Sequence, residues 1–292
     1  MEYGDKHILV LGAGASGIGA SWVLAQVGAH VVLNDYKPVT LPATEEGRLV
    51  SAGVEIITGR QDESLLDGVD RIVISPGISL DIPIVKAAQA RGIDVVSEVE
   101  LAYEVSKSPI VAVTGTNGKT TTTTLLTKVL EGSGKPVRVG GNIGDSLSEV
   151  AYSMPAGGFL VAELSSYQLE TIKHFRPIGA IMLNITPDHL ARHKTMENYI
   201  AAKERIFENQ LKSDYLVLNI DDSVVADMEH RAPSHILQIS QKQTVENGAY
   251  YANGQCYVVK NGVATAVIGD EDIHIPGSHN IENILTVIAL TY

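Results

Sequence analysis

The chain has 292 residues, enough for two domains with separate cores. Hydrophobic residues make up 45% and charged residues 19%, an ordinary globular balance that argues against disorder. A net charge of −12 leaves no basic footprint for nucleic acid or an anionic membrane, and the single cysteine, Cys256, excludes an internal disulfide and points to a reducing compartment.

From Ile8 to Ala29 no Asp, Glu, Lys or Arg occurs, a length that could span a bilayer. Gly12, Gly14, Gly17, Gly19 and Gly28 interrupt it, with Ser16, Ser21 and Gln26 among them, so a strand, a tight turn and a helix account for it better. No basic leader with a cleavage site precedes it, and a cytoplasmic protein without membrane partners is expected.

Short apolar runs at Ile8–Leu11, Val31–Asn34, Glu55–Thr58, Arg71–Ser75 and Asp94–Ser97 predict strands. Helical patterns at Ser16–Val27, Glu45–Ala52 and Pro83–Arg91 lie between them, and the alternation predicts βαβ units in a mostly parallel sheet. A second series follows Ser106-Lys107-Ser108-Pro109. Strands are expected at Ile110–Thr114, Phe159–Leu164, Ile178–Ile185 and Tyr215–Asn219, with helices at Lys119–Glu131 and Glu197–Asn209. From Ala249 to Asp270, Asn253-Gly254 and Asn261-Gly262 separate β-rich runs, which predicts hairpins and a small antiparallel sheet holding Cys256 as a buried apolar residue. Gly277-Ser278-His279-Asn280 opens a last apolar helix, and the chain stops at Tyr292 with neither a C-cap nor a polar tail, so a further domain is expected beyond it.

Two glycine loops carry chemistry. Gly12-Ala13-Gly14-Ala15-Ser16-Gly17 is a GxGxxG between strand and helix, with Asp35 ending the next strand at the spacing of a ribose-binding acid. It specifies a diphosphate near a strand–helix turn without choosing the nucleotide, and a ligand-free tight turn stays open. The second is more specific. The apolar strand Ile110–Thr114 runs into Gly115-Thr116-Asn117-Gly118-Lys119-Thr120, and Thr121 to Thr124 start a helix. Backbone N–H groups can cradle phosphates there, Lys119 can reach the β- and γ-phosphates, and the Thr120 hydroxyl can ligate Mg2+. Val113 stands where GxxxxGK[ST] would place a glycine, so the loop is a variant.

Ligands of open parallel sheets bind beyond the C-terminal strand ends. Glu163 closes one apolar run and reads as a Mg2+ ligand or as a solvated carboxylate. Another run leads to Asn184, Thr186, Asp188 and His189, and Val137-Arg138-Val139 leads to Asn142 among glycines. Lys203 has Tyr199, Ile200, Ile206 and Phe207 at helical spacing, placing a lysine inside an apolar stripe. It is either snorkelling at the edge of the stripe or carries an altered charge, and a neutral amine there could add CO2 to form a carbamate.

These motifs together resemble the Mur ligases, ATP-dependent amide-forming enzymes of peptidoglycan precursor synthesis. The residues are Gly115–Thr121, Ser75-Pro76-Gly77-Ile78, Gly141-Asn142-Ile143-Gly144, Glu163 with Leu164-Ser165-Ser166-Tyr167-Gln168-Leu169-Glu170, Asn184-Ile185-Thr186-Pro187-Asp188-His189 and Ala201-Ala202-Lys203. The likeness runs along essentially the whole chain and points to the branch of the family that adds D-glutamate.

The resemblance implies an α/β protein with a Rossmann-like parallel-sheet domain at 1–98 and a P-loop NTPase-like central domain at 99–292, the latter with the small antiparallel side sheet. It implies that the family's C-terminal amino-acid-binding domain is absent and that this chain alone has little or no activity. The substrates implied are UDP-N-acetylmuramoyl-L-alanine, D-glutamate and ATP, joined through an acyl phosphate by a monomeric enzyme. Ala15, Ser16, Asp35, Tyr36, Lys37, Gly77, Asn142 and His189 match the UDP-substrate positions, although Tyr36 and Lys37 replace the Thr-Arg of some members. Gly115 to Thr121, Asn280 and Asn283 match ATP contacts. Thr120, Glu163, His189 and a carbamylated Lys203 match ligands of a pair of Mg2+ ions, and Lys119, Glu163, His189 and Lys203 match the catalytic set. A folylpolyglutamate-type ligase, an NAD-dependent dehydrogenase and a non-catalytic binding module are the alternatives.

Overall fold

The computed structural model describes residues 3–292. The described residues form two compact units, one of residues 3–107, 144–154 and 167–175, the other of residues 108–143, 155–166 and 176–292.

In the first unit, strands β1 (His7–Leu11), β2 (His30–Asp35), β3 (Glu55–Thr58), β4 (Arg71–Ile74) and β5 (Asp94–Ser97) form one parallel sheet in the order β3-β2-β1-β4-β5. Side chains alternate across a strand, so Ile8 and Val10 enter one core while Leu9 and Leu11 enter another with Ile72 and Ile74. Burial on both faces explains why β1 and β4 read as continuous apolar runs. The helices Ala15–Gln26, Ala43–Ser51 and Pro83–Ala90 lie within one or two residues of their expected bounds. β1 pairs with both β2 and β4, so the strand order reverses at the exit of β1, where the first glycine loop begins.

Two buried carboxyl groups tie the later segments into this unit. Glu98 accepts from the Ser146 hydroxyl and the Ser148 N–H, both at 2.6 Å. Glu100 accepts the N–H groups of Lys173, His174 and Phe175.

The second unit contains β6 (Ile110–Thr114), β7 (Val137–Gly141), β8 (Phe159–Glu163), β9 (Gly179–Met182), β10 (Tyr215–Asn219), β11 (His235–Ser240), β12 (Gly248–Ala252), β13 (Gln255–Lys260) and β14 (Val263–Gly269). They build a single sheet in the order β14-β13-β12-β11-β10-β9-β6-β8-β7. The expected hairpins are present, with Asn253 at φ 52° and Asn261 at φ 53°, the left-handed backbone that two-residue turns demand. They do not form a separate side sheet: β12 pairs parallel with β11, so the antiparallel strands extend the edge of the main sheet. Cys256 is buried in β13.

The strand expected at Ile178–Ile185 is shorter, because the chain leaves the sheet after Met182 to build the loop described below. The helix expected at Glu197–Asn209 runs Met196–Glu204 and tightens into a 3-10 turn at Arg205–Phe207. Among the described residues no helix is long and apolar enough to cross a membrane.

Candidate active site

β6 is buried along its whole length and delivers Gly115–Gly118 to the helix Lys119–Glu131. Gly118 has φ 85°, and a Cβ there would stand 2.5 Å from the Asn283 Oδ1, so both backbone and space require glycine. The first N–H groups of the helix have no intrahelical acceptors, which leaves its start suited to receive an anion. The loop is clamped from the exit of β9. The Thr116 N–H donates to the Asn184 carbonyl at 2.8 Å, and the Asn117 N–H to the Asn184 Oδ1 at 2.8 Å. The Asn184 amide returns a bond to the Asn117 carbonyl at 3.1 Å.

Glu163 ends β8 and is 1% exposed. Its two oxygens accept from the Thr120 hydroxyl and the Asn142 amide, each at 2.9 Å. Lys119 folds back, its Nζ donating to the carbonyls of Gly115 at 3.1 Å and Thr116 at 2.8 Å. Burial lowers its pKa, opposed by the carboxylates of Glu163 and Asp188.

Lys203 is 2% exposed, so the snorkelling alternative is set aside. Its Nζ donates to the same Gly115 carbonyl at 2.8 Å and stands 5.0 Å from the Tyr199 ring centre. Burial, reinforced by the charge of Lys119 and opposed by Asp188, brings its pKa from 10.5 down to about 7. The amine is therefore substantially neutral near neutrality, the state that reacts with CO2.

His189 sits at φ 54° before the short helix Leu190–His193. Its Nε2 lies 3.4 Å from the Asp188 carboxylate, and its ring meets Tyr199 edge-on at 6.4 Å. Tyr199 is 1% exposed and shares a 3.0 Å hydrogen bond with the Thr116 hydroxyl, so one phenol links the phosphate loop to Lys203 and His189. Thr121 is exposed on the first turn of the loop's helix. Asn283 accepts from the Thr122 hydroxyl at 3.1 Å and donates to Asn280, whose amide reaches the Pro276 carbonyl, so both asparagines lie beside the loop with these groups paired. Asn184, Tyr199 and Asp188 join the site without having been singled out as functional. All three stood in view, at a strand end or one turn from Lys203, but only the fold gives them partners.

In the first unit, the Asp35 carboxylate accepts the N–H groups of Ala13 and Lys37, both at 3.0 Å, and so ties the glycine loop to the exit of β2. Ala15, Tyr36, Lys37 and Gly77 are exposed and Ser16 half-buried, around that loop and the turn after β4. A Cβ on Gly17 would fall 1.7 Å from the Gly12 carbonyl oxygen, the close approach its position requires.

Among the described residues no three of His, Cys, Asp and Glu converge as metal ligands. The donor set nonetheless suits Mg2+, which is bound through one or two carboxylates with phosphate and water rather than by an all-protein cage. Glu163 is a buried carboxyl met only by neutral hydrogen-bond donors, beside a hydroxyl on the first turn of a phosphate-loop helix. Such a group gains from a cation.

Fold and loop together define an α/β protein of the phosphate-loop class. The Mur ligase middle domain matches residues 113–291, and the Mur ligase MurD-like N-terminal domain matches residues 6–97. The chain belongs to the Mur ligase family. It is 45% identical over 292 residues to the UDP-N-acetylmuramoylalanine–D-glutamate ligase of Thermoanaerobacter pseudethanolicus, covering 100% of this chain and 64% of that protein. It is 46% identical, with the same coverage, to the enzyme of that name from Caldanaerobacter subterraneus subsp. tengcongensis. The chain thus spans 64% of the length of these curated relatives. Among solved structures, the UDP-N-acetylmuramate:L-alanyl-gamma-D-glutamyl-meso-diaminopimelate ligase from Neisseria meningitides shares the fold, with a TM-score of 0.63, 22% identity, and coverage of 98% of this chain and 93% of that one.

Proposed function

We propose that the chain is the substrate- and ATP-binding part of a cytoplasmic, monomeric ligase that joins D-glutamate to UDP-N-acetylmuramoyl-L-alanine with conversion of ATP to ADP and phosphate. The observation that carries the reading is the convergence of Lys119 and Lys203 on the Gly115 carbonyl, beside the Glu163–Thr120 pair. That is a site for phosphoryl transfer, and it sits on a chain similar at 45% identity to a D-glutamate ligase.

In this reading residues 1–98 hold the UDP-linked substrate, with Ala15, Ser16, Asp35, Tyr36, Lys37 and Gly77 around the diphosphate. Residues 99–292 hold ATP. Lys119 leaves the Gly115 and Thr116 carbonyls for the phosphates, which also meet the N–H groups at the start of the helix Lys119–Glu131, and Thr121, Asn280 and Asn283 lie along the nucleotide. Thr120, Glu163, His189 and the carbamate of Lys203 would hold Mg2+, which supplies positive charge to the transferring phosphoryl group. The substrate carboxylate attacks the γ-phosphorus, ADP leaves, and the acyl phosphate then accepts the amine of D-glutamate and expels phosphate. An NAD-dependent dehydrogenase would give Lys119, Glu163 and Lys203 no role.

Thermal unfolding of the chain with UDP-N-acetylmuramoyl-L-alanine, UDP, ATP with Mg2+, or NAD tests the assignment. The UDP-sugar is expected to raise the midpoint most, with a separate rise from ATP and Mg2+. A rise with NAD alone would reverse it.

A further inference from the structure

A buried pair outside the roles just given joins the two segments that carry the predicted ligands. The exit of β8 runs from Glu163 through Leu164 and Ser165 to Ser166, which starts the short helix Ser166–Leu169. The exit of β9 runs through His189 and the helix Leu190–His193 into the helix Met196–Glu204, which bears Lys203. The Ser166 hydroxyl and the His193 Nε2 share a hydrogen bond of 2.9 Å, with Ser166 1% and His193 6% exposed. The His193 ring packs 5.3 Å from Tyr199, the phenol that bonds Thr116 and underlies Lys203. The Asn198 amide donates to the His193 carbonyl at 2.8 Å, fixing the turn between the two helices.

We propose that His193 is a positioning residue: through Ser166 on one side and Tyr199 on the other, it sets the spacing of Glu163 from His189 and Lys203 and so the affinity for Mg2+-bound nucleotide. The inference rests on the reading of those three residues as facing the metal. The physical reason is that Glu163 ends β8, His189 lies on the segment after β9 and Lys203 on the helix that follows it, and such segments shift cheaply relative to one another unless a buried contact joins them. His193 makes such contacts to both exits. Ser166 and His193 are 27 residues apart and buried, so their bond is neither local turn chemistry nor a solvent-screened surface contact.

The test is equilibrium binding of ATP to this chain, with Mg2+ and with EDTA, alongside thermal unfolding. In Ser166→Ala and in His193→Ala the gain in affinity from Mg2+ is expected to fall roughly 10-fold, the usual effect of removing an outer partner of a ligand set. Affinity in EDTA is expected to stay unchanged, and the double variant to lose no more than His193→Ala alone, because that substitution already breaks the bond Ser166→Ala removes. His193→Gln, whose amide can still meet the Ser166 hydroxyl, is expected to keep most of the gain. Ser166→Ala removes a single hydroxyl and decides the matter should His193→Ala not fold. Variants that lower the unfolding midpoint yet keep the wild-type gain from Mg2+ would overturn the inference, as would an equal loss with EDTA. A wild-type chain with no gain from Mg2+ would overturn the reading of the site and this inference with it.

Discussion

Replacing Lys203 by methionine is predicted to stabilise the chain at neutral pH. The folded amine has a pKa of about 7 against 10.5 for an ordinary lysine, chiefly because burial disfavours its charge. At roughly 1.4 kcal/mol per pH unit, the folded state carries on the order of 5 kcal/mol of penalty at pH 7 and below. Methionine removes that penalty and forfeits the bond to the Gly115 carbonyl, a charge-assisted contact worth about 1.5–3 kcal/mol. The net gain is on the order of 2 kcal/mol, or roughly 5 °C in the unfolding midpoint for a protein of this size. The sign depends on pH. The unfolded amine stays protonated up to about 10.5, whereas the folded one loses its proton near 7, so between these values the unfolded state binds more protons and wild-type stability rises with pH. The advantage of Lys203→Met is therefore largest at pH 7 or below, shrinks through the alkaline range and reverses once the wild-type amine is neutral in both states. Denaturant unfolding of both proteins in CO2-free buffers from pH 6.5 to 10 measures it. A Met variant less stable at pH 7, or a margin that does not shrink, would refute the reasoning.

Gly17→Ala is expected to lose on the order of 4 kcal/mol, since its Cβ would collide with the Gly12 carbonyl, and Gly14→Ala, with open space around it, is the thermal-unfolding control. Burial raises the pKa of Glu98, so its contribution to stability is fully present below the ordinary carboxyl range and is lost as pH rises through the folded value. The unfolding midpoint of Glu98→Gln relative to wild type should accordingly climb with pH; a difference that stays flat or falls would contradict this. Lys119→Ala should abolish binding of ATP with Mg2+ while leaving the thermal shift from UDP intact, measured on the same chain.

The sequence made the two glycine loops, the strand ends and the Asn-Gly turns legible because each depends on local backbone demands. Lys203 was legible for a different reason: a lysine amid apolar neighbours at helical spacing conflicts with its own burial cost, and the conflict marked the residue. The Asn184 clamp, the Tyr199–Thr116 bond and the Ser166–His193 pair were not legible, since each partner lies tens of residues away. Turn chemistry predicted the hairpins but not their attachment, because the parallel pairing of β11 with β12 leaves no mark in either strand. The spacing of Asp35 suggested a ribose contact, and that spacing serves equally well to bind the Ala13 N–H and close the loop.

The central claim is that the loop Gly115–Thr120 directs ATP onto a substrate carboxylate. Oxygen transfer tests it most directly. UDP-N-acetylmuramoyl-L-alanine labelled with heavy oxygen in its alanyl carboxylate would be turned over with ATP, Mg2+ and D-glutamate by a protein in which this chain is continued to the length of its relatives. The account predicts one labelled oxygen in each phosphate released. Unlabelled phosphate accompanying amide formation would contradict it.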